Sequence, residues 1–440
     1  MPLDISSPRL GRANILALLS PHAQRFRSLK FLCDHWLDIE KFSQAVSGPL
    51  PFLRALEMDV VEHDMQNQLA LGTPSLPLFS GAVNLEEFSL YSEFVPCLNH
   101  FNFPNLTTFK LKAVQMEFPI SKLLDFLKAS PALQSVRIAL ETEVDTGDVP
   151  PERVVVLPNV KIFTVIEEEP GFNVATYISC PSAKHVSLIH EREAACALPD
   201  RAFSTSAPRN SIVSQYMTSP IDEVILSILT TEDLTRSCSI SFISPGPAIL
   251  KLDYRETSRM WEEFSLGGNH SKVFSRACMI VRNHLRLCNI RRLCIKDFHT
   301  PLPPSKLAYV AEEAIQLFKS VGSLEELTLN VVDLRPYLAP FLGLPGFQDT
   351  KGDAFPAIKE LTITGNLKES LKEKCMAAVV EWAKSQHASG VPFERMTFRM
   401  KDHPVAMVER LRSWVGTVCF GEMEKDSDDD FLGWAEWSTD

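Results

Sequence analysis

One short pattern returns along the chain: an apolar residue, two variable residues, then apolar, polar and apolar positions. It is clearest at Leu324-Glu325-Glu326-Leu327-Thr328-Leu329, with close variants at 85–90, 106–111 and 358–363. Two apolar positions flanking one polar position have the period of two of a half-buried strand. Further units start at Phe26, Leu53, Leu133, Val160, Ala183, Ile221, Pro247, Ile290 and Phe393, so about thirteen strands are predicted. Phe26 to Phe393 is 367 residues in twelve steps, about 31 per step, enough to place a helix between strands.

Several spacers carry that helix. Ile120, Leu123, Leu124 and Leu127 follow the i, i+3, i+4, i+7 spacing of one helix face, with Ser121 near the cap. The same spacing appears in Leu307, Val310, Ala311, Ala314, Ile315 and Phe318, in Cys375, Ala378, Val379 and Trp382, and in Phe274, Ala277, Cys278, Val281 and Leu285. Residues 38–46 form a shorter candidate. A strand, a helix and a return to a parallel strand make a right-handed βα unit. Doubly wound sheets and eight-stranded barrels alternate in the same way, but their strands are covered on both faces and read as continuous apolar runs. Here the central strand position is mostly polar, as at Lys30, Glu57, Ser89, Lys110, Arg137, Thr164, Lys251, Thr328 and Thr362. The predicted fold class is therefore α/β, a right-handed solenoid with a curved parallel sheet. Helices and loops lie on its convex side, and one strand face meets solvent on the concave side.

The expected organisation is an N-terminal cap over residues 1–25, with the apolar run 15–19 closing the first strand, and repeats over 26–420. A polar loop at 190–219 interrupts the repeats. Residues 421–440 form an acidic tail, Asp426-Ser427-Asp428-Asp429-Asp430 followed by Phe431, Trp434 and Trp437. It reads as disordered, with a short linear motif for a partner as the alternative.

Composition narrows the function. Lys+Arg 44 against Asp+Glu 55 gives a net charge of -11, which speaks against a general nucleic-acid binder. Ten cysteines without a Cys-x-x-Cys pair suit packing in a reducing compartment, cytoplasmic or nuclear. Apolar runs are too short to span a membrane, and the N-terminus shows no secretory signal. Phosphate-binding glycine loops, the nucleophile elbow and the His-Glu-x-x-His pattern are missing, so no cofactor and no catalytic residues are expected. His185 and His190 with Glu191 and Glu193 come nearest to a metal cluster, and they read as a solvated strand end. Cys294, between Arg292 and Lys296, reads as an ordinary strand cysteine.

The repeated phrase and its helix-bearing spacers resemble leucine-rich repeats of the long type. The C-terminal third is similar to the repeat region of fungal (basidiomycete) F-box-like proteins, in the stretches 248–254, 289–293, 324–329, 334–338, 358–363, 383–387 and 391–395. The resemblance implies a leucine-rich-repeat solenoid that recognises substrates for a cullin-type ubiquitin ligase. No F-box opening of the form Leu-Pro-x-Glu stands ahead of Phe26, so a ubiquitin-ligase adaptor is expected only through another chain. The asparagine or cysteine that follows the strand in simple leucine-rich repeats is also missing: Val332 and Val114 stand there.

Function is therefore expected at the third, fifth and seventh positions of each phrase, which alternate away from the core. These include Tyr91, Lys110, Lys112 and Arg137, then the apolar Ile162, Ile166, Ile189 and Ile225, then Lys251, Arg292, Lys296, Arg395 and Arg399. The apolar members are either covered by the 190–219 loop or form a partner-binding patch. The expected function is a scaffold that binds a protein partner on this face. The alternatives are an α/β enzyme with an unrecognised site and a truncated F-box-like product without function.

Overall fold

Each predicted phrase is a strand in the computed structural model, which describes residues 3–7, 19–33, 36–46, 48–60, 78–92, 98–113, 118–140, 144–145, 149–150, 152–167, 173–190, 212, 221–230, 236–244, 249–256, 274–275, 277–279, 281–282, 290–297, 304–342, 356–365, 367, 369–400 and 409–421. The principal strands are β1 (Leu3–Ser7), β2 (Phe26–Cys33), β3 (Ala55–Val60), β4 (Glu87–Ser92), β5 (Thr108–Ala113), β6 (Ser135–Leu140), β7 (Ile162–Glu167) and β8 (His185–His190). They continue with β9 (Glu223–Thr230), β10 (Arg236–Ile243), β11 (Ile249–Glu256), β12 (Arg292–Asp297), β13 (Glu326–Val331), β14 (Glu360–Thr364), β15 (Arg395–Arg399) and β16 (Thr417–Phe420). The longer helices are α1 (Trp36–Ala45), α2 (Ile120–Lys128), α3 (Pro304–Ser320), α4 (Arg335–Leu342) and α5 (Glu369–Ala388). The fold is mixed α/β with a large parallel sheet.

The chain divides into two compact units, Met1–Ser219 with Ser244–Thr257, and Pro220–Ile243 with Ser258–Asp440. In the first unit the strands hydrogen-bond in the order β1-β2-β3-β4-β5-β6-β7-β8-β11, and every neighbouring pair is parallel. In the second the order is β10-β9-β12-β13-β14-β15-β16, parallel except for β9 and β10. Neither order closes into a barrel.

The register sorts residues by chemistry. In the first unit Leu29, Leu56, Phe88, Phe109, Val136, Phe163 and Val186 align on one rung, and Phe31, Met58, Leu90, Leu111, Ile138, Val165 and Leu188 on another. All are buried. In the second, Val224, Leu293, Leu327, Leu361 and Met396 align likewise and are also buried. Each such side chain contributes roughly 1.5–3 kcal/mol by leaving water. The spacers cover this apolar face. Phe126 of α2 meets Phe109 at 4.7 Å, Phe42 of α1 meets Phe31 at 5.3 Å, and in the second unit Trp382 of α5 stacks on Phe341 of α4 at 4.2 Å. The described residues of the 274–285 stretch are helical, with Phe274, Ala277, Cys278 and Val281 buried.

A backbone ladder repeats at the entry to the strands. In most phrases the second residue donates its N–H to the same carbonyl one unit earlier: Thr107 to Glu86, Gln134 to Thr107 and Lys161 to Gln134 at 2.7–2.9 Å, and Glu325 to Arg291 and Lys359 to Glu325 at 2.7–2.8 Å, whereas Asp222 donates to Ile243 of β10. Asparagine side chains reinforce it just before the phrase. Asn84 donates to the Pro51 carbonyl, Asn105 to Val83 and Asn159 to Pro131, at 2.9–3.1 Å. An asparagine ladder thus exists in the first unit, on the turn into the strand rather than the turn out of it.

Four features differ from the predicted repeat. Residues 3–7, placed in a cap, form a parallel strand on β2, while residues 8–18, holding most of the proposed capping run, lie outside the described residues. The Ile221 unit does not pair with the Ala183 unit before it. It forms an antiparallel pair with β10 and a parallel one with β12, whereas β8 pairs with β11. Only five residues separate β9 from β10, and a parallel return needs a dozen or more. β16 adds a strand beyond the last phrase. Finally, α4 was not apparent from periodicity. Asp333 caps it, accepting the Arg335 backbone N–H at 3.0 Å, and Pro336 sits in its first turn. The 190–219 loop, apart from His190 and Ile212, and the 421–440 tail, apart from Gly421, lie outside the described residues.

Candidate functional site on the polar strand face

Side chains that alternate away from the apolar rungs form a polar face in each unit. In the first unit the central rung runs Lys30, Glu57, Ser89, Lys110, Arg137 and Thr164. The next rung towards the strand ends runs Leu32, Asp59, Tyr91, Lys112, Ala139 and Ile166. Neighbouring strands lie about 4.8 Å apart, so cross-strand partners interact. Lys30 and Glu57 form an ion pair at 2.9 Å. Burial, and next the charge of Glu57, raise the carboxyl of Asp59, while Lys30 and Lys112 oppose the shift. Burial, then Glu57, push the Tyr91 hydroxyl up to about 12, with Arg137 opposing, so Tyr91 stays a hydrogen-bond donor over the physiological range. Lys110 and Arg137 stand directly opposite each other, and Lys112 lies two residues along β5 on the same face.

The apolar members of the predicted site separate. Ile162 is 47% exposed, whereas Ile166 is 7% exposed and Ile189 is fully buried. Of the two readings of these residues, an open patch does not hold at Ile166 and Ile189, which are not available as surface anchors. Thr164 and Ala139 are buried beside them. Ile225 is partly exposed and belongs to the second unit, opposite Cys294. Lys251 aligns with Ser187 in the β8–β11 pair.

The second unit carries a different charge order. Glu223, Arg292, Glu326, Glu360 and Arg395 lie on one rung. Arg292 binds Asp222 at 2.6 Å and reaches Glu223 at 3.5 Å, and Arg395 reaches Glu360 at 3.5 Å. The Asp222 hydrogen bond is the main reason the Arg292 guanidinium is raised, and burial is the main reason the Glu326 carboxyl is raised, with Glu360 adding to it. Beyond the rung of Cys294, Thr328, Thr362 and Thr397, Lys296 and Arg399 occupy a third rung with Asn330 and Thr364. Cys294 lies between Arg292 and Lys296 in the strand and carries no disulfide.

A second set of polar groups went unnoticed in the sequence: acids buried at or just after strand ends. Glu167 is fully buried at the end of β7 and accepts the Val174 backbone N–H at 2.9 Å, where the short helix Asn173–Thr176 begins. Asp297, at the same position of β12, accepts the hydroxyl of Tyr337 on α4. Tyr337 is fully buried, and burial, with the Asp297 carboxylate second, holds its hydroxyl well above the usual phenol range. Asp333 binds the Arg335 guanidinium through both oxygens, at 3.0 and 2.7 Å. The readable signal was an acid in the apolar phase of a strand, at Glu167 and Asp297. Each is engaged by a spacer element, Glu167 by the start of the helix Asn173–Thr176 and Asp297 by α4.

Among the described residues no group of three or more His, Cys, Asp and Glu is placed to hold a metal ion, and no helix is long and apolar enough to cross a membrane. His185 lies exposed on β8, the side chain of His190 is not described, and Glu191 and Glu193 lie outside the described residues. No family model and no curated protein matches the chain.

Proposed function

We propose that the chain is a leucine-rich-repeat solenoid that binds a protein partner on the concave, polar face of its sheet and performs no catalysis of its own. The carrying observation is the recurrence, in both units, of one register that buries every second strand residue and turns the others to a polar face. Repeats built this way present extended surfaces, with specificity spread over several strands. In the lineage that the sequence resembles, this surface selects substrates for a cullin-type ubiquitin ligase. Here the adaptor contact would come from another chain, in the cytoplasm or nucleus, with neither nucleic acid nor membrane as partner.

The test is affinity purification of the full chain beside a Lys110→Glu/Arg137→Glu variant with an unchanged melting profile. Proteins lost specifically from the variant support face binding; identical recovery from both overturns it. Adaptor and cullin subunits among the specifically bound proteins would support the ligase assignment, and their absence from every specific set would remove it.

A further inference from the structure

The two faces differ in how charge is arranged, and this points to a partner chemistry at the proposed binding face. Strands β5 and β6 turn Thr108, Lys110, Lys112, Ser135, Arg137 and Ala139 to that side: three cations, hydroxyls and no carboxylate, with exposed Glu87 of β4, opposite Thr108, marking the edge of the patch. Tyr91, Lys112 and Arg137 also interact within the chain, so the summed charge, not a lack of contacts, sets the patch apart. Like charges directly opposite on neighbouring strands repel, and an incoming anion relieves that repulsion. Lys110 and Lys112 are two residues apart on one strand, about 6.8 Å, the same repeat as alternate residues of any extended chain. Exposed Ile162 lies on the next strand, opposite Ser135 and beside Arg137.

We propose that this patch docks an extended acidic segment of a protein partner, with acids at alternate positions opposite Lys110 and Lys112 and an adjacent aliphatic or aromatic side chain on Ile162. This rests on the face-binding reading above and names the chemistry of its partner. A protein segment fits better than a nucleic acid. Glu57 and Asp59 lie on β3, two strands from Lys110 and Lys112, and would repel a continuous polyphosphate, whereas a short acidic segment ends within the patch.

The experiment is fluorescence anisotropy with purified full-length chain and three labelled probes: an acidic peptide with alternating glutamates and a phenylalanine, its lysine-for-glutamate counterpart, and a single-stranded oligonucleotide. The acidic peptide binds with an affinity that falls as salt rises, and Lys110→Glu with Arg137→Glu weakens it by about ten-fold or more. Ile162→Asp weakens the peptide, and Lys384→Glu, at an exposed cation on α5 away from the strand face, leaves it unchanged. Lys110→Gln, a milder change at an exposed side chain, gives an intermediate loss if the double variant folds poorly. Equal binding by the cation variants, or tighter binding of the oligonucleotide, overturns the proposal. If the acidic peptide does not bind but the affinity-purified partner is still lost with Lys110→Glu/Arg137→Glu, the acidic-segment assignment fails while the face-binding reading stands. If neither responds, both fail.

Discussion

The two polar faces share a register and differ in the order of their charges. In the second unit Glu223, Arg292, Glu326, Glu360 and Arg395 share one rung in which each arginine is engaged by a neighbouring carboxylate, Glu326 and Glu360 being its like-charged pair. In the first unit the signs are grouped, with Glu57, Asp59 and Glu87 on β3 and β4 and Lys110, Lys112 and Arg137 on β5 and β6, while Lys30 of β2 pairs with Glu57. A rung with its arginines engaged satisfies itself and gains little from a partner. A grouped one leaves a local field that an oppositely charged segment completes. Composition hides this difference; cross-strand register exposes it.

The contrast holds only if the apolar faces of the two units are equivalent, and the largest effects test that. Leu111→Ala in the first unit and Leu329→Ala in the second remove fully buried leucines from matching positions, and each should cost about 2–5 kcal/mol. Denaturant unfolding with a probe in each unit checks this. A cost below about 0.5 kcal/mol for either, the level of a neutral surface change, would show that unit's register to be misread. Tyr337→Phe comes next. It leaves the Asp297 carboxylate without its buried hydroxyl partner and should cost about 1–3 kcal/mol, read by the same unfolding experiment.

An alkaline titration separates the faces more finely. The folded-state pKa of Tyr91 lies at about 12, above the ordinary 10. The folded chain therefore holds more protons than the unfolded one between those values. Its contribution to stability is complete below pH 10 and is lost as pH rises through 12. Tyr91→Phe should flatten the fall in melting temperature over that window, while Tyr337, also raised, keeps part of it. An identical alkaline profile in Tyr91→Phe would show that burial and the field of Glu57 do not raise the Tyr91 hydroxyl.

Much of this was legible because period two is a local property. Leu327, Thr328 and Leu329 announce their faces without reference to any other strand. Helices α2, α3 and α5 were equally readable from their apolar stripes. Strand order was not. β8 pairs with β11 and skips the hairpin between them, and nothing in a repeated phrase says which of several similar strands will be its neighbour. Burial on the polar side was hidden for a related reason. Ile166 and Ile189 share the phase of Lys112, yet they are buried, and alternation along a strand tells which face a residue is on but not whether that face is covered. The contacts of Glu167 and Asp297 with spacer elements were readable in principle, because both are acids where the phrase calls for an apolar residue. The cost of burying an unpaired acid is large enough that a partner had to exist.

The smallest effect is the sharpest test of the comparison, because it turns on sign. Arg292→Ala removes the cation between Asp222, Glu223 and Glu326, leaves carboxylates facing one another, and should destabilise by about 0.5–1 kcal/mol, the upper range for a half-exposed ion pair. Lys110→Ala removes one of two cations that stand directly opposite on β5 and β6, and should stabilise by about 0.2–0.5 kcal/mol through relief of like-charge repulsion. Both effects should shrink as salt rises, since both charges are reached by solvent. Differential denaturation of the two variants at low and high salt reads this directly. Two shifts of the same sign would mean that the grouped rung and the rung of engaged arginines are electrostatically alike, and the distinction between a self-satisfied face and a receptive one would be lost.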